Sequence, residues 1–186
     1  TPKTLLDAPK GRQYQEQIVN ETEIFIAPYN AKNIYMSQYT NTGRKWNADN
    51  TAVISVFNEY FGGSMNSVVF QELRESRALA YSASGYYITP WRKNHPEYSR
   101  TYIISQNDKM MDCINTFNSI IDTVPQSEKA FNLAVQSIKK SIESRRVTKE
   151  GIISAYESAK KKGIDYDIYK KVYEALPSMT LADIVK

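Results

Sequence analysis

Histidine and cysteine each occur once in the 186 residues, as His95 and Cys113, and this scarcity sets the first limits on the chemistry. A lone cysteine excludes an internal disulfide and any thiolate-rich metal cluster, though it does not separate cytoplasm from periplasm. The single histidine lies in a loop before Pro96 and Glu97, with no second histidine to complete H-E-x-x-H or H-x-x-E-H. Catalytic zinc held by this chain alone is therefore not expected, nor is a Ser-His-Asp or Cys-His nucleophile. Long apolar runs are missing too. No stretch reaches the roughly 18 residues of a membrane span, and residues 1–20 lack the apolar centre of a signal peptide.

What is present is ordinary globular material, 41% hydrophobic and 24% charged, in a length that suits one domain with a real core. The net charge of +4 comes from 24 basic and 20 acidic residues interspersed along the chain, which argues against a nucleic-acid surface. Lys160-Lys161-Lys162 ends an expected helix just before Gly163, where cations suit the helix dipole and glycine suits the cap. Gly62-Gly63-Ser64 has no lysine at P-loop spacing and reads as a tight turn between helices.

Residues 1–20 are polar, carry Pro2, Pro9 and Gly11, and read as a linker from an upstream domain. Residues 23–29 (EIFIAPY) and 33–40 (NIYMSQYT) have strand composition and predict two strands joined by a short turn, with Pro28 placing the first at an edge. Helical spacing follows from Asn47 to Tyr60, and then Met65, Val69 and Leu73 form a stripe expected to face the core. Strands are expected near 79–89 and 99–105. Helices come next, with stripes Met110, Ile114, Phe117, Ile121 and Phe131, Val135, Ile138, Ile142, and Cys113 beside the first of these. Further helices at about 149–162 and 166–176 complete the order ββααββαααα. Clustered strands and clustered helices predict an α+β fold, a mainly antiparallel sheet covered on one face by helices. The chain begins without methionine, and Thr180 with Asp183 starts a new helix at its end. Both features are read as a segment of a longer polypeptide, truncated at its C-terminal end.

Candidate chemistry concentrates in residues 70–87, FQELRESRALAYSASGYY, where an amphipathic helix carrying Arg74 turns within a few residues into a tyrosine-rich strand carrying Tyr81. Spacing alone leaves Arg74 an exposed helix arginine and Tyr81 an ordinary strand aromatic.

The wider segment FNEYFGGSMNSVVFQELRESRALAYSASG, residues 57–85, resembles the signature of the zinc-less, C-terminal homologous domain of the insulinase/pitrilysin family of inverted-motif zinc metallopeptidases. The match is carried by Leu73-Arg74-Glu75 at the helix end and Leu79-Ala80-Tyr81 at the strand start. The resemblance implies a processing-peptidase-like αβ sandwich over residues 21–186. It also implies a place in a zinc-dependent endopeptidase, one of two homologous halves that close around an unfolded peptide. Zn2+ and the glutamate base would belong to the other half, upstream in the same polypeptide or in a partner chain, and this half alone would be inactive. By the same resemblance Arg74 would bind substrate backbone carbonyl, and Tyr81 would do so too, acting as the catalytic residue whose hydroxyl bonds the developing oxyanion. The resemblance also admits a non-catalytic structural or partner homologue that binds peptides or subunits without hydrolysis. Compartment stays open between bacterial cytoplasm and periplasm, with export common among bacterial relatives.

Overall fold

The computed structural model describes residues 14, 17–41 and 43–185, so the linker expected over residues 1–20 lies largely outside them. The architecture is α+β, as the residue patterns predict. Strands β1 (Asn33–Thr40), β2 (Ala80–Ile88) and β3 (Tyr98–Gln106) form one antiparallel sheet in the order β1-β3-β2. Among the described residues, seven α-helical segments accompany it: α1 (Thr51–Asn58), α2 (Val68–Phe70), α3 (Met110–Asp122), α4 (Glu128–Glu143), α5 (Lys149–Lys162), α6 (Ile168–Ala175) and α7 (Leu181–Ile184). A 3-10 turn, Ala48–Asn50, leads into α1, and wide π turns extend α1 through Glu59–Gly63 and α2 through Gln71–Glu75.

The core lies between the helices and one face of the sheet. Ala83, Ile103 and Ser105 from the strands meet Val56, Tyr60, Leu73, Cys113 and Phe117 from the helices, all buried. The closest approach is between backbones. A β-carbon at Gly62 would lie 2.3 Å from the carbonyl oxygen of Gly85, so the end of the first helix rests directly on the β2 main chain. Phe61 covers Gly85 from the same turn, 6.2 Å from Phe117 in an edge-on pair. The Gly62-Gly63 pair is thus more than a helix stop: the helical backbone runs through it before Ser64 becomes extended.

Asn58 fastens the same helix to the sheet edge. Its side-chain amide accepts from the Tyr87 N–H (2.8 Å) and donates to the Tyr87 carbonyl (2.9 Å), pairing backbone groups that an edge strand leaves open. The Tyr60 hydroxyl donates to the Pro125 carbonyl at 2.5 Å and accepts from the Ser127 N–H at 3.1 Å, fixing the start of α4. Beyond the sheet, the Tyr87 hydroxyl donates to the buried Glu97 carboxylate at 2.8 Å, and Arg44 Nε stands 3.8 Å from the same oxygen. The caps read from sequence form as expected: Gly163 ends α5 at φ 71°, and Thr180 and Asp183 make a capping box.

Three expectations are corrected. Residues 23–29 form no strand, and Ile24, Phe25 and Ile26 are 80–87% exposed. Strand composition requires a neighbour to pair with, and no described strand pairs with this run. Met65 is 72% exposed because the helix begins only after Ser67, which leaves Met65 in the preceding turn; the buried set is Val68, Val69 and Leu73. On α3 the buried line runs through Met110, Cys113, Phe117 and Ile120, with Ile121 exposed, since the small cysteine sits on the face nearest the sheet. Cys113 itself is core, as expected.

Replacing Leu73 by alanine should destabilise the domain by about 2–5 kcal/mol, whereas Met65→Ala should stay within about 0.5 kcal/mol in denaturant melts. Gly62→Ala should cost about 3 kcal/mol, at the top of the overpacking range, because both contacting groups are main chain. Burial, then the hydrogen bond to Glu97, pushes the Tyr87 phenol up to about 12, so its contribution to stability is intact below the unfolded tyrosine value. It should be lost as pH rises from about 10 through about 12, and Tyr87→Phe should flatten that alkaline limb in pH-dependent melts.

Candidate functional site

The corner between α2 and β2 is built from an unusual helix ending. After Ser67 the chain makes one α turn and then widens, the Ser76 N–H bonding the Gln71 carbonyl five residues back at 2.8 Å. The termination carries that extra residue with it. Ala78 N–H donates to the Arg74 carbonyl (3.1 Å) and Leu79 N–H to the Leu73 carbonyl (2.9 Å), a nested pair one residue wider than the usual glycine-ended cap. Ala78 takes the left-handed conformation at φ 50°, which costs an alanine about 1–2 kcal/mol. Two side chains, one from the neighbouring strand β3 and one from the start of α3, hold the corner: Ser105 Oγ donates to the Leu79 carbonyl at 2.5 Å, and Lys109 Nζ donates to the Ala78 carbonyl at 3.2 Å.

Immediately after the corner the sheet carries a bulge. Ala80 pairs with Ser105 and Ser82 with Ile104, so Tyr81 is the extra residue with no partner on β3. A bulge re-aims the side chain it inserts, and Tyr81 is 73% exposed. Arg74 approaches from the helix side. Its guanidinium carbon lies 4.9 Å from the Phe70 ring centroid and 6.0 Å from that of Tyr81, while its Nε is 3.8 Å from Glu75. Packing between two rings restrains the guanidinium while leaving donors open. The two residues singled out by sequence are therefore brought together, over a cleft of about 300 Å³ at the end of the sheet where β1 begins and β3 stops. Lys109, Asn33 and Gln106 line the same cleft.

Sequence reasoning missed Lys109, the bulge and the strained Ala78. A glycine or asparagine at residue 78 would have signalled the left-handed turn, and alanine gives no such sign. The other candidates fall away. Gly62 and Gly63 serve helix packing, and Lys160–Lys162 close α5. Zinc does not fit this chain: with one histidine and one cysteine in the sequence, no group of three or more metal-ligating side chains gathers among the described residues. No helix among the described residues is long and apolar enough to cross a membrane.

Comparison with known proteins supports the same fold. A conserved protein from Enterococcus faecalis superposes with a TM-score of 0.72 at 15% identity, covering 92% of this chain and 40% of that one. The peptidase M16 inactive domain from Pseudomonas fluorescens gives 0.66 at 12% identity, covering 84% and 37%. The inactive peptidase domain of a candidate zinc protease from Bordetella parapertussis gives 0.63 at 11% identity, covering 87% and 86%. The chain thus spans well under half of the first two and most of the third. No curated protein sequence matches significantly. The sequence profile described as the peptidase M16 inactive domain aligns with residues 3–150, most of the length, and by that match the chain belongs to the family of peptidase M16 inactive domains.

Proposed function

We propose that the chain is the substrate-clamping, metal-free half of a zinc-dependent endopeptidase that encloses unfolded peptides. The zinc-bearing homologous half would come from the same polypeptide or a partner chain. The observation that carries this reading is the meeting of Arg74 and Tyr81, 6.0 Å between guanidinium and ring, at the mouth of one cleft. A guanidinium offers several donors to the carbonyl oxygens of an extended peptide. A phenol offers a neutral donor, suited to an oxygen that gains charge as a carbonyl is attacked from the opposite side. Both are mounted on rigid elements across a locked corner, so their relation is fixed before substrate arrives. The zinc, when bound in the other half, would supply the activated water; this chain supplies grip and an added hydrogen bond.

The test is steady-state kinetics of the whole protein, zinc-bearing half included, on an unstructured peptide. Tyr81→Phe should lower kcat by about 100- to 1000-fold, as loss of an oxyanion-hole donor does, while melts barely move. Arg74→Ala should act at least partly by raising KM, since backbone carbonyls are held in the ground state as well as the transition state. Arg74→Lys should rescue poorly because the planar fork of donors is lost. Wild-type kcat/KM in both single variants would reduce the pair to surface filler and leave a non-catalytic partner as the surviving role.

A further inference from the structure

Lys109 has a second use that its corner contact does not exhaust. Its backbone is fixed on both sides, its N–H bonding the Gln106 carbonyl at 3.1 Å and its carbonyl accepting from Cys113 N–H at 3.0 Å as α3 begins. The ammonium has three donors, and the Ala78 carbonyl takes one. Among the described residues no ion pair joins Lys109. Of the charged residues lining its cleft, both are cations, Arg74 and Lys109, and the nearest carboxylate to Arg74, Glu75, lies on the helix outside the cleft lining. Asn33 and Gln106, a register pair at the sheet end, add amide groups beside the two cations. Two cations and no acid in the lining favour an anionic group such as a carboxylate, and a lysine with unused donors attracts a point charge rather than a neutral carbonyl.

Resting on the clamp reading above, we propose that Lys109 is a specificity-determining residue: with Arg74 it forms a subsite for a carboxylate on the bound peptide. That carboxylate is either an acidic side chain near the bond to be cleaved or the free C-terminus of a short substrate. The choice between these two sources is open to experiment because the chemistry recognised is the same.

The experiment uses the whole protein and fluorescent, unstructured peptides in matched pairs, one pair differing by Glu or Gln on the C-terminal side of the scissile bond, the other by free acid or amide at the C-terminus. Both binding by anisotropy and kcat/KM are read. Wild type should favour the carboxylate member of at least one pair by roughly 5- to 10-fold at low salt, and the preference should shrink at high salt. Which pair shows it identifies the source. Lys109→Met should abolish the preference by lowering binding and kcat/KM of the carboxylate member well below any change in its neutral partner, and Lys109→Arg should restore it. No preference in wild type overturns the proposal without touching the clamp. Equal damage to both members of a pair in Lys109→Met also overturns it, leaving Lys109 only a strut for the corner. A Lys109-dependent preference that survives while Arg74→Ala and Tyr81→Phe behave as wild type would keep the subsite and sink the clamp, and failure to bind any of the peptides would sink both.

Discussion

Everything at the site depends on a contact that has no side chains in it. Gly62 and Gly85 let the end of the first helix lie against the main chain of β2, closer than any β-carbon permits. That proximity leaves room for Phe61 to cover Gly85 and lets Asn58 pair with Tyr87 at the edge. The strand is thereby fixed in height relative to the helices at its middle. Since α2 follows the glycine turn within a few residues, the same contact sets where the second helix must end and where β2 must begin. The distance between Arg74 and Tyr81 is a consequence of that placement.

The corner converts placement into rigidity. A left-handed alanine is unfavourable, and left to itself the chain would relax into an ordinary cap. Here the strain is opposed by four hydrogen bonds, two from the helix ending and two from side chains that cross from β3 and the start of α3. The wide turn before it makes the cap one residue wider, and Arg74, next to the buried Leu73, lies off the buried line through Val69 and Leu73. On the strand, the bulge lets Ala80 and Ala83, three residues apart, both face the core and leaves Tyr81 exposed with no partner on β3. Two irregularities, one in each element, flank the corner that separates Arg74 from Tyr81.

Those irregularities explain where the sequence was legible and where it was not. Helices α3 and α4 were readable because their apolar residues repeat at helical spacing over several turns, and the caps at Gly163 and Thr180 carry residues with a specific chemical reason to be there. The pairing of Arg74 with Tyr81 was legible only through resemblance, since in isolation their spacing fits an ordinary exposed arginine and strand tyrosine equally well. Residues 23–29 misled for the opposite reason: Ile24, Phe25 and Ile26 have the composition of a strand, but pairing is a property of the neighbour and leaves no mark on the run itself. Met65 misled because the apolar spacing begins one turn before the backbone becomes helical. Lys109 left no trace at all. It is distant in sequence from the corner it supports, and only folding places its ammonium on the Ala78 carbonyl.

Under the proposed clamp, stability and recognition would be carried by separate residues, and this separation has a physical logic. The residues that hold the domain together near the site, Val69, Leu73 and Ser105, are fully buried or nearly so, and each is satisfied by packing or by a single backbone partner. The residues that face the cleft, Arg74, half-exposed, and Tyr81, largely exposed, make ring contacts and, for Arg74, a weak ion contact. Their donors are not spent on the protein. A donor already committed to a buried partner would have to break that bond to meet a peptide, and the gain would then be a difference between two similar energies. By fixing position through the backbone, the fold keeps the side-chain hydrogen-bonding capacity free for whatever enters the cleft. Lys109 stands between the two classes, with one donor given to the corner, and in the proposed subsite that intermediate position would couple the geometry of the corner to the charge of a ligand.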